Sequence, residues 1–247
     1  MPYAASPPRP PLQVDPIDYL TGRWEEAEVP SGVRSPRPKF TSDGHARPWP
    51  GVTIVAHVAP DSDTFAALVA MQDALKAQPF AHRFTYLPPT SFHMTVFDGA
   101  NETTRGTPAW PRGVAADADW AAVSDTFEER LSGLTLPQLL PASHSLFAGF
   151  SLVLTGADAA AEAVLRSTRD RLREATEVVK ADHATYVFHV TLAYLLTYVG
   201  EAEARDIVTA SDALYAEHAP RLDPLPLGPV ELCDFTDMHA FHPRLRL

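Results

Sequence analysis

The sequence contains a single cysteine, Cys233, among its 247 residues. This excludes an internal disulfide framework and any metal or redox site built on paired cysteines. No apolar run approaches the roughly 18 residues of a membrane-spanning helix, and the N-terminal residues lack the apolar stretch of a secretory signal. We therefore expect a cytoplasmic protein without membrane contact.

Cationic residues are also few, 20 Lys and Arg against 31 Asp and Glu. Long nucleic acid is not an expected partner, because it requires a basic surface.

The rest of the composition is typical of a globular protein, with 45% apolar and 21% charged residues and a net charge of -11. Proline is concentrated near the N-terminus, where 11 of the 24 prolines lie within the first 50 residues. Proline blocks helices and removes backbone donors. We predict a Pro-rich arm over residues 1–35, mobile over 1–14, and a single domain over 36–247. Its two lobes would span roughly 50–135 and 145–247, and a monomer is expected.

Hydrophobic periodicity divides the chain after residue 50 into two similar rounds of strand, helix and strand. In both rounds the strand after the helix carries a His-x-Thr sequence, which indicates an internal duplication of about 100 residues. This predicts an α+β chain whose two halves face each other. The predicted strands are 51–58, 82–87, 92–97, 145–155, 185–196 and a closing strand or strand pair within 227–241. One predicted helix begins near residue 62, and the others are at 117–131, 158–180 and 201–217.

Two tetrapeptides carry the candidate chemistry, HMTV at residues 93–96 and HVTL at residues 189–192. Side chains alternate along a strand, so the histidine and threonine of each motif share one face, about 7 Å apart. If the halves face each other, two imidazoles and two hydroxyls line one cleft. One neutral imidazole can accept a proton from an attacking water or hydroxyl, while the other, protonated, donates to the leaving oxygen. The threonine hydroxyls can bind the non-bridging oxygens of a phosphate.

Other interpretations of these histidines remain open. Both could be core histidines whose hydrogen bonds are satisfied within the protein. A third sequence of similar form, HATY at residues 183–186, follows a predicted helix and is interpreted as a loop. The pattern does not distinguish which of the two motif histidines would be the base.

Longer stretches around the motifs resemble the 2H phosphoesterase superfamily, and in particular a branch labelled as a domain of unknown function, DUF1868. The resemblance extends over about residues 36–243. The matching stretches are KF-x-x-DG at 39–44, LPPTSFHMTVFDG at 87–99, WP at 110–111, YVFHVTLAYLL at 186–196 and ELCDFTDMHAFHP at 231–243.

The resemblance implies a bilobal, pseudo-two-fold α+β fold in which two antiparallel sheets line a central groove and the helices lie outside. It also implies cyclic phosphodiesterase, RNA-end processing or RNA-ligase-like chemistry without a metal. No cofactor is expected. By position, His93 and His189 match the catalytic histidines of the family, and Thr95 and Thr191 match its phosphate-binding residues.

Several further residues are candidates for contact with substrate. Strict alternation places Phe97 on the face of the first motif histidine, where it could stack on a base or sugar; a core position is the alternative. Tyr86 and Arg83 lie on a strand expected beside that motif and could contact an anionic ligand, although a plain surface position is the favoured interpretation of Arg83. Lys39 and Arg47 could reach the cleft if the arm folds over it.

We therefore expect hydrolysis of a small nucleotide-type phosphodiester, such as a 2′,3′-cyclic phosphate. An enzyme that opens, closes or transfers a phosphoester on a specialised metabolite is an alternative, as is a non-catalytic nucleotide-binding module. His239 and His242 lie close in sequence to Asp234 and Asp237, but their spacing matches no standard metal site. No metal is therefore expected.

Overall fold

In a computed structural model of the protein, residue 12, residues 14–25 and residues 27–247 are described. No helix in these parts of the chain combines the length and apolar character that a membrane crossing requires. The helices are α1 (Pro16–Leu20), α2 (Asp63–Lys76), α3 (Trp120–Leu131), α4 (Ala159–Thr176) and α5 (Glu201–His218). The strands are β1 (Gly51–Val58), β2 (Phe84–Tyr86), β3 (His93–Asn101), β4 (Pro141–Phe147), β5 (Ser151–Gly156), β6 (Phe188–Thr191), β7 (Ala193–Leu195), β8 (Leu227–Phe235) and β9 (His242–Arg246).

The large sheet has seven antiparallel strands in the order β4-β5-β6-β3-β1-β8-β9, and β2 and β7 form a separate two-stranded sheet. The predicted α+β class is confirmed. The two halves of the chain do not form separate large sheets, as the expectation of two sheets lining a groove would require. Strand β3 of the first half pairs directly with β6 of the second, with Met94 opposite Val190. This pairing satisfies backbone groups that would otherwise be exposed along two strand edges.

Apolar residues of the two central strands fix which face of the sheet is covered. Met94, Val96 and Val190 have no exposed surface, and α4 packs across β3 and β5. Burial of these side chains against the helices is the dominant stabilising interaction. The alternating residues of the same strands therefore lie on the opposite face of the sheet.

Two long predicted strands are interrupted in the structure. The strand predicted over 185–196 becomes β6 and β7, which belong to different sheets. Between them the Leu192 amide donates to the Phe150 carbonyl (2.7 Å). The strand predicted over 145–155 lies within the β4–β5 hairpin, whose turn contains Ala148 and Gly149, both with positive φ. Local apolar runs do not reveal these turns.

The fourth helix also ends earlier than its periodicity predicts. The prediction of 158–180 fails beyond Thr176 because Glu177 adopts a left-handed conformation (φ 55°), which ends a helix. Val179, two residues further on, is consequently exposed. The predicted start of α2 is confirmed, since the Ser62 hydroxyl accepts a hydrogen bond from the Phe65 amide (3.0 Å).

The described part of the N-terminal arm packs onto the rest of the chain. Leu20, in α1, is fully buried in the main core, and α1 contacts α5. Most of the mobile tail predicted over residues 1–14, namely residues 1–11 and 13, lies outside the described residues. The division of the chain at residue 35 remains a prediction.

At Gly99 the backbone of β3 lies close to that of β1. A Cβ at this position would lie 2.2 Å from the Val52 carbonyl oxygen, so the two backbones would have to separate. We expect Gly99→Ala to lower the free energy of unfolding by about 1–3 kcal/mol, measured by urea denaturation.

Gly228→Ala is the matched control, because Gly228 lies in β8 on the other side of β1. A Cβ there would lie 3.5 Å from the His57 carbonyl oxygen, an ordinary contact. This variant should leave stability unchanged or raise it by up to about 1 kcal/mol. Equal losses in both variants would contradict the interpretation of Gly99.

Candidate active site

A cavity of about 340 Å³ brings the two histidine motifs together, and His93, Thr95, His189 and Thr191 all line it. The antiparallel pairing of β3 with β6 places the motifs side by side. In this register His93 lies across from Thr191, and Thr95 lies across from His189. All four residues are half-buried. The site thus presents two imidazoles and two hydroxyls in a diagonal arrangement.

The two imidazoles are oriented in the same way. His93 Nδ1 lies 2.7 Å from the Ser91 carbonyl oxygen, and His189 Nδ1 lies 2.9 Å from the Val187 carbonyl oxygen. A carbonyl oxygen can only accept, so Nδ1 carries the proton in each ring. In the neutral imidazole, Nε2 is then the basic nitrogen. In each motif, the backbone carbonyl two residues before the histidine therefore fixes the tautomer of its imidazole.

The surroundings of His93 favour its neutral form. The pKa of His93 is lowered to about 4, mainly by burial and to a smaller extent by the neighbouring imidazoles of His57 and His189, while the hydrogen bond to the Ser91 carbonyl acts in the opposite direction. The Phe241 ring lies 4.2 Å from the His93 ring, measured between centroids, and covers it. The lowered pKa favours the neutral imidazole of His93 at neutral pH, with Nε2 unprotonated.

An apolar wall covers part of the cavity. It suits the carbon-rich portion of a small organic ligand, since ligand sites combine apolar surface with a few polar groups. Tyr194, which alternation along one long strand assigns to the core, belongs to this wall because β7 is a separate strand. The wall consists of Trp49, Leu87, Tyr194, Phe235, Met238 and Phe241.

The N-terminal segment supplies a second, basic wall. Residues 31–39, which we call the strap, contribute Arg34, Arg37 and Lys39 to the cavity lining. Lys39 therefore reaches the cleft, as considered from the sequence. Arg47 is exposed and is not among the lining residues. The two arginines of the strap had no signal in the sequence, because an irregular segment has no periodicity from which its position can be inferred.

Phe97 does not face the cavity and occupies the core position that the sequence left as the alternative. It is fully buried in the main core. The β1–β3 register shifts by one residue after Thr95, and such a bulge reverses the alternation that follows it. Asp98 lies one residue beyond the predicted strand 92–97, but in the structure it belongs to β3 and lines the cavity. A glycine inside a strand pattern often marks a bulge, so Gly99 was the feature of the sequence that could have indicated this one.

Tyr86 and Arg83 are also not among the lining residues, because β2 pairs with β7 in the small sheet and not with β3. Arg83 forms a two-point ion pair with Glu203 of α5, with both N–O distances 3.0 Å. The Tyr86 ring contacts the Lys76 ammonium (5.7 Å to the centroid). Burial raises the pKa of Tyr86 to about 12. Neither side chain is positioned to contact a ligand in the cavity.

Within the described part of the chain, His57, Glu231 and Cys233 form a cluster with possible metal-ligand atoms within 4.8 Å of one another. The two C-terminal histidines considered from the sequence do not belong to it. The Glu231 carboxylate already contacts His57 Nδ1 (3.3 Å) and Arg246 Nε (3.1 Å). Burial, with the nearby carboxylates, raises the pKa of Cys233 to about 12. Metal binding here would require a proton to leave this thiol.

Comparisons with known proteins agree with the resemblance drawn from the motifs. Residues 39–146 match the family model 2H-phosphodiest, described as a domain of unknown function (DUF1868). The crystal structure of the conserved protein of unknown function ATU0111 from Agrobacterium tumefaciens str. C58 is similar, with 27% sequence identity and a TM-score of 0.87. The similarity covers 93% of this chain and 97% of that one. No curated protein matches the sequence. The resemblance to the DUF1868 branch of the 2H phosphoesterases is thereby confirmed.

The environment of His93 predicts its titration. We expect its imidazole to titrate near pH 4 in the unliganded protein, well below the ordinary value of 6.5, with Nδ1 carrying the proton above that pH. Long-range ¹H–¹⁵N NMR spectra reveal both properties. Phe241→Ala, which exposes the ring to water, should raise the pKa. A midpoint above about 6 in the wild-type protein would contradict this account.

Proposed function

We propose that this chain is a metal-independent phosphodiesterase that hydrolyses a small nucleotide-type phosphodiester, such as a 2′,3′-cyclic phosphate. The observation that carries the proposal is the presence of both His-x-Thr motifs in one cavity. The match to the 2H-phosphodiest model over residues 39–146 supports phosphodiesterase activity in general. The cavity volume of about 340 Å³ supports a small substrate, since such sites measure about 300–1,000 Å³.

In the proposed reaction His93 is the general base and His189 the general acid. The water oxygen forms a bond to phosphorus as its proton passes to Nε2 of His93. The bond from phosphorus to the leaving oxygen breaks, and the imidazolium of His189 gives its proton to that oxygen. One water is added overall and a phosphomonoester is formed. Proton exchange with solvent then restores both histidines.

The low pKa of His93 supports this assignment of roles. A base must be unprotonated when substrate arrives, and the burial of His93 provides that state. A bound phosphodiester anion then raises the pKa of the imidazole towards neutrality. His93 therefore becomes a stronger base once the substrate is in place.

The threonine hydroxyls complete the proposed phosphate site. Because each histidine lies across from the threonine of the other motif, the hydroxyls of Thr95 and Thr191 would bind non-bridging oxygens from two sides. Such donors stabilise the charge that develops at phosphorus.

We further propose a pseudo-two-fold axis between β3 and β6. The sheet order β4-β5-β6-β3-β1-β8-β9 supports it, since β5 and β1 occupy equivalent flanking positions.

The histidine pair provides the direct test of activity. We expect turnover of 2′,3′-cyclic mononucleotides, or of short 2′–5′ or 3′–5′ oligonucleotides, in the presence of EDTA. His93→Ala and His189→Ala should each lower kcat by about 10²–10⁴-fold, because each removes a proton-transfer group. Circular dichroism and thermal unfolding establish that the variants fold.

His183→Asn is the control for the third His-x-Thr sequence. His183 is not a cavity-lining residue and contacts Asp170 through Nε2 (2.8 Å), so this variant should retain activity. Absence of turnover with every substrate, or loss of turnover on chelation alone, would contradict the proposal. Nucleotide binding without turnover would favour a non-catalytic binding module.

The threonines provide a separate test of phosphate binding. Thr95→Val and Thr191→Val preserve the side-chain shape and remove the hydroxyl. Each should lower kcat/KM by about 10–100-fold, the loss of one hydrogen bond to a charged group. Thr95→Ser and Thr191→Ser keep the hydroxyl and should restore most of the activity. Full activity in the valine variants, or losses in the serine variants as large as in the valine variants, would contradict a role for the hydroxyl alone.

A further inference from the structure

The cavity has a basic wall in an otherwise acidic protein. The whole chain carries a net charge of -11, yet the strap places Arg34, Arg37 and Lys39 on the lining of the cavity. Glu25 and Asp98 are the carboxylates among the described lining residues. A local group of cations in an acidic protein attracts an anionic ligand into the cleft.

These cations come from a segment other than the strands that carry the histidine motifs. The two His-x-Thr motifs already supply donors for one phosphodiester, which bears a single negative charge. Arg34 and Arg37 also contact carboxylates, those of Glu25 and Glu102, but a guanidinium has more N–H donors than one carboxylate uses. A phosphate monoester offers three acceptor oxygens and a negative charge of about 1.5 to 2 at neutral pH, so it can accept from the remaining donors.

The strap is held in place by its own backbone and by the core beneath it. The amides of Lys39 and Phe40 both donate to the Gly32 carbonyl, at 2.8 and 3.1 Å, and close the segment into a loop. Phe40 is fully buried. A loop fixed in this way presents its charges without a large loss of conformational entropy on binding.

The side chains of the strap are also oriented. Lys39 Nζ lies 3.4 Å from the Tyr194 hydroxyl and 5.6 Å from the centroid of the Trp49 ring. Arg37 Nη1 lies 2.9 Å from Glu102 Oε2, and Arg34 contacts Glu25. An arginine has five N–H donors, so these carboxylates position the guanidinium groups and leave further donors for a phosphate.

From this arrangement we infer that the strap forms a second anion-binding subsite, and that the substrate bears a phosphate monoester in addition to the phosphodiester. The inference rests on the proposed function and specifies its substrate class. The histidine motifs would bind the phosphodiester, and Lys39 with Arg37 would bind the second phosphate.

Calorimetric binding of adenosine 3′-monophosphate and adenosine 3′,5′-bisphosphate tests this subsite without requiring turnover. The wild-type protein should bind the bisphosphate at least about tenfold more tightly, the effect of one or more charge-assisted hydrogen bonds. Lys39→Met and Arg37→Met should remove most of this preference and change the monophosphate affinity little. Arg47→Met, the control for an exposed cation next to the strap, should retain the preference.

Three results would overturn the inference. They are equal affinity of the wild-type protein for both nucleotides, no bisphosphate binding at millimolar concentration, and equal weakening of both nucleotides by Lys39→Met. The last result would place Lys39 at the scissile phosphate.

Repeating the binding measurement in His93→Ala separates the two proposals, because the bisphosphate preference should persist there while hydrolysis is lost. Hydrolysis by wild-type protein without a bisphosphate preference would contradict the second subsite alone.

Discussion

The antiparallel pairing of β3 with β6 is the constraint on which the candidate site depends. The two strands come from different halves of the chain, and Met94 lies opposite Val190 in their register. These two side chains are buried against the helices, so the histidines and threonines beside them must lie on the other face. A one-residue shift of this register would turn the side chains of one strand over, and one of the two motifs would then face the core. The hydrophobic interaction that stabilises the fold therefore also aligns the polar groups of the cavity.

Two motifs of the same form acquire different environments in this sheet. Backbone carbonyls fix the same tautomer in His93 and His189. His93, however, lies beside His57 and beneath the Phe241 ring, and burial lowers its pKa to about 4. The neighbours of His93 thus give this motif an environment that its sequence does not indicate. The strap adds a third kind of surface, a basic one, to a cavity that the sheet and the aromatic residues already define.

Much of the fold follows from local pattern. The strand at 51–58, the helix capped by Ser62 and the order of elements are visible because periodicity and capping are local properties. Local pattern fails where the backbone changes direction within an apolar run. The bulge in β3 turned Phe97 into the core and Asp98 into the cavity. The break after Thr191 moved Tyr194 from a predicted core position to the cavity wall.

The amino-acid sequence alone determined the class of the fold, the family resemblance and the four polar residues of the two motifs, because alternation along a strand fixes which side chains share a face. Only the tertiary structure decided that these residues line a common cavity, that burial lowers the pKa of His93, and which cations join them. Those properties depend on register, on burial and on contacts between segments distant in the chain. The strap illustrates the reason: its charges matter through their position beside Trp49 and Tyr194, and no local signal encodes that position.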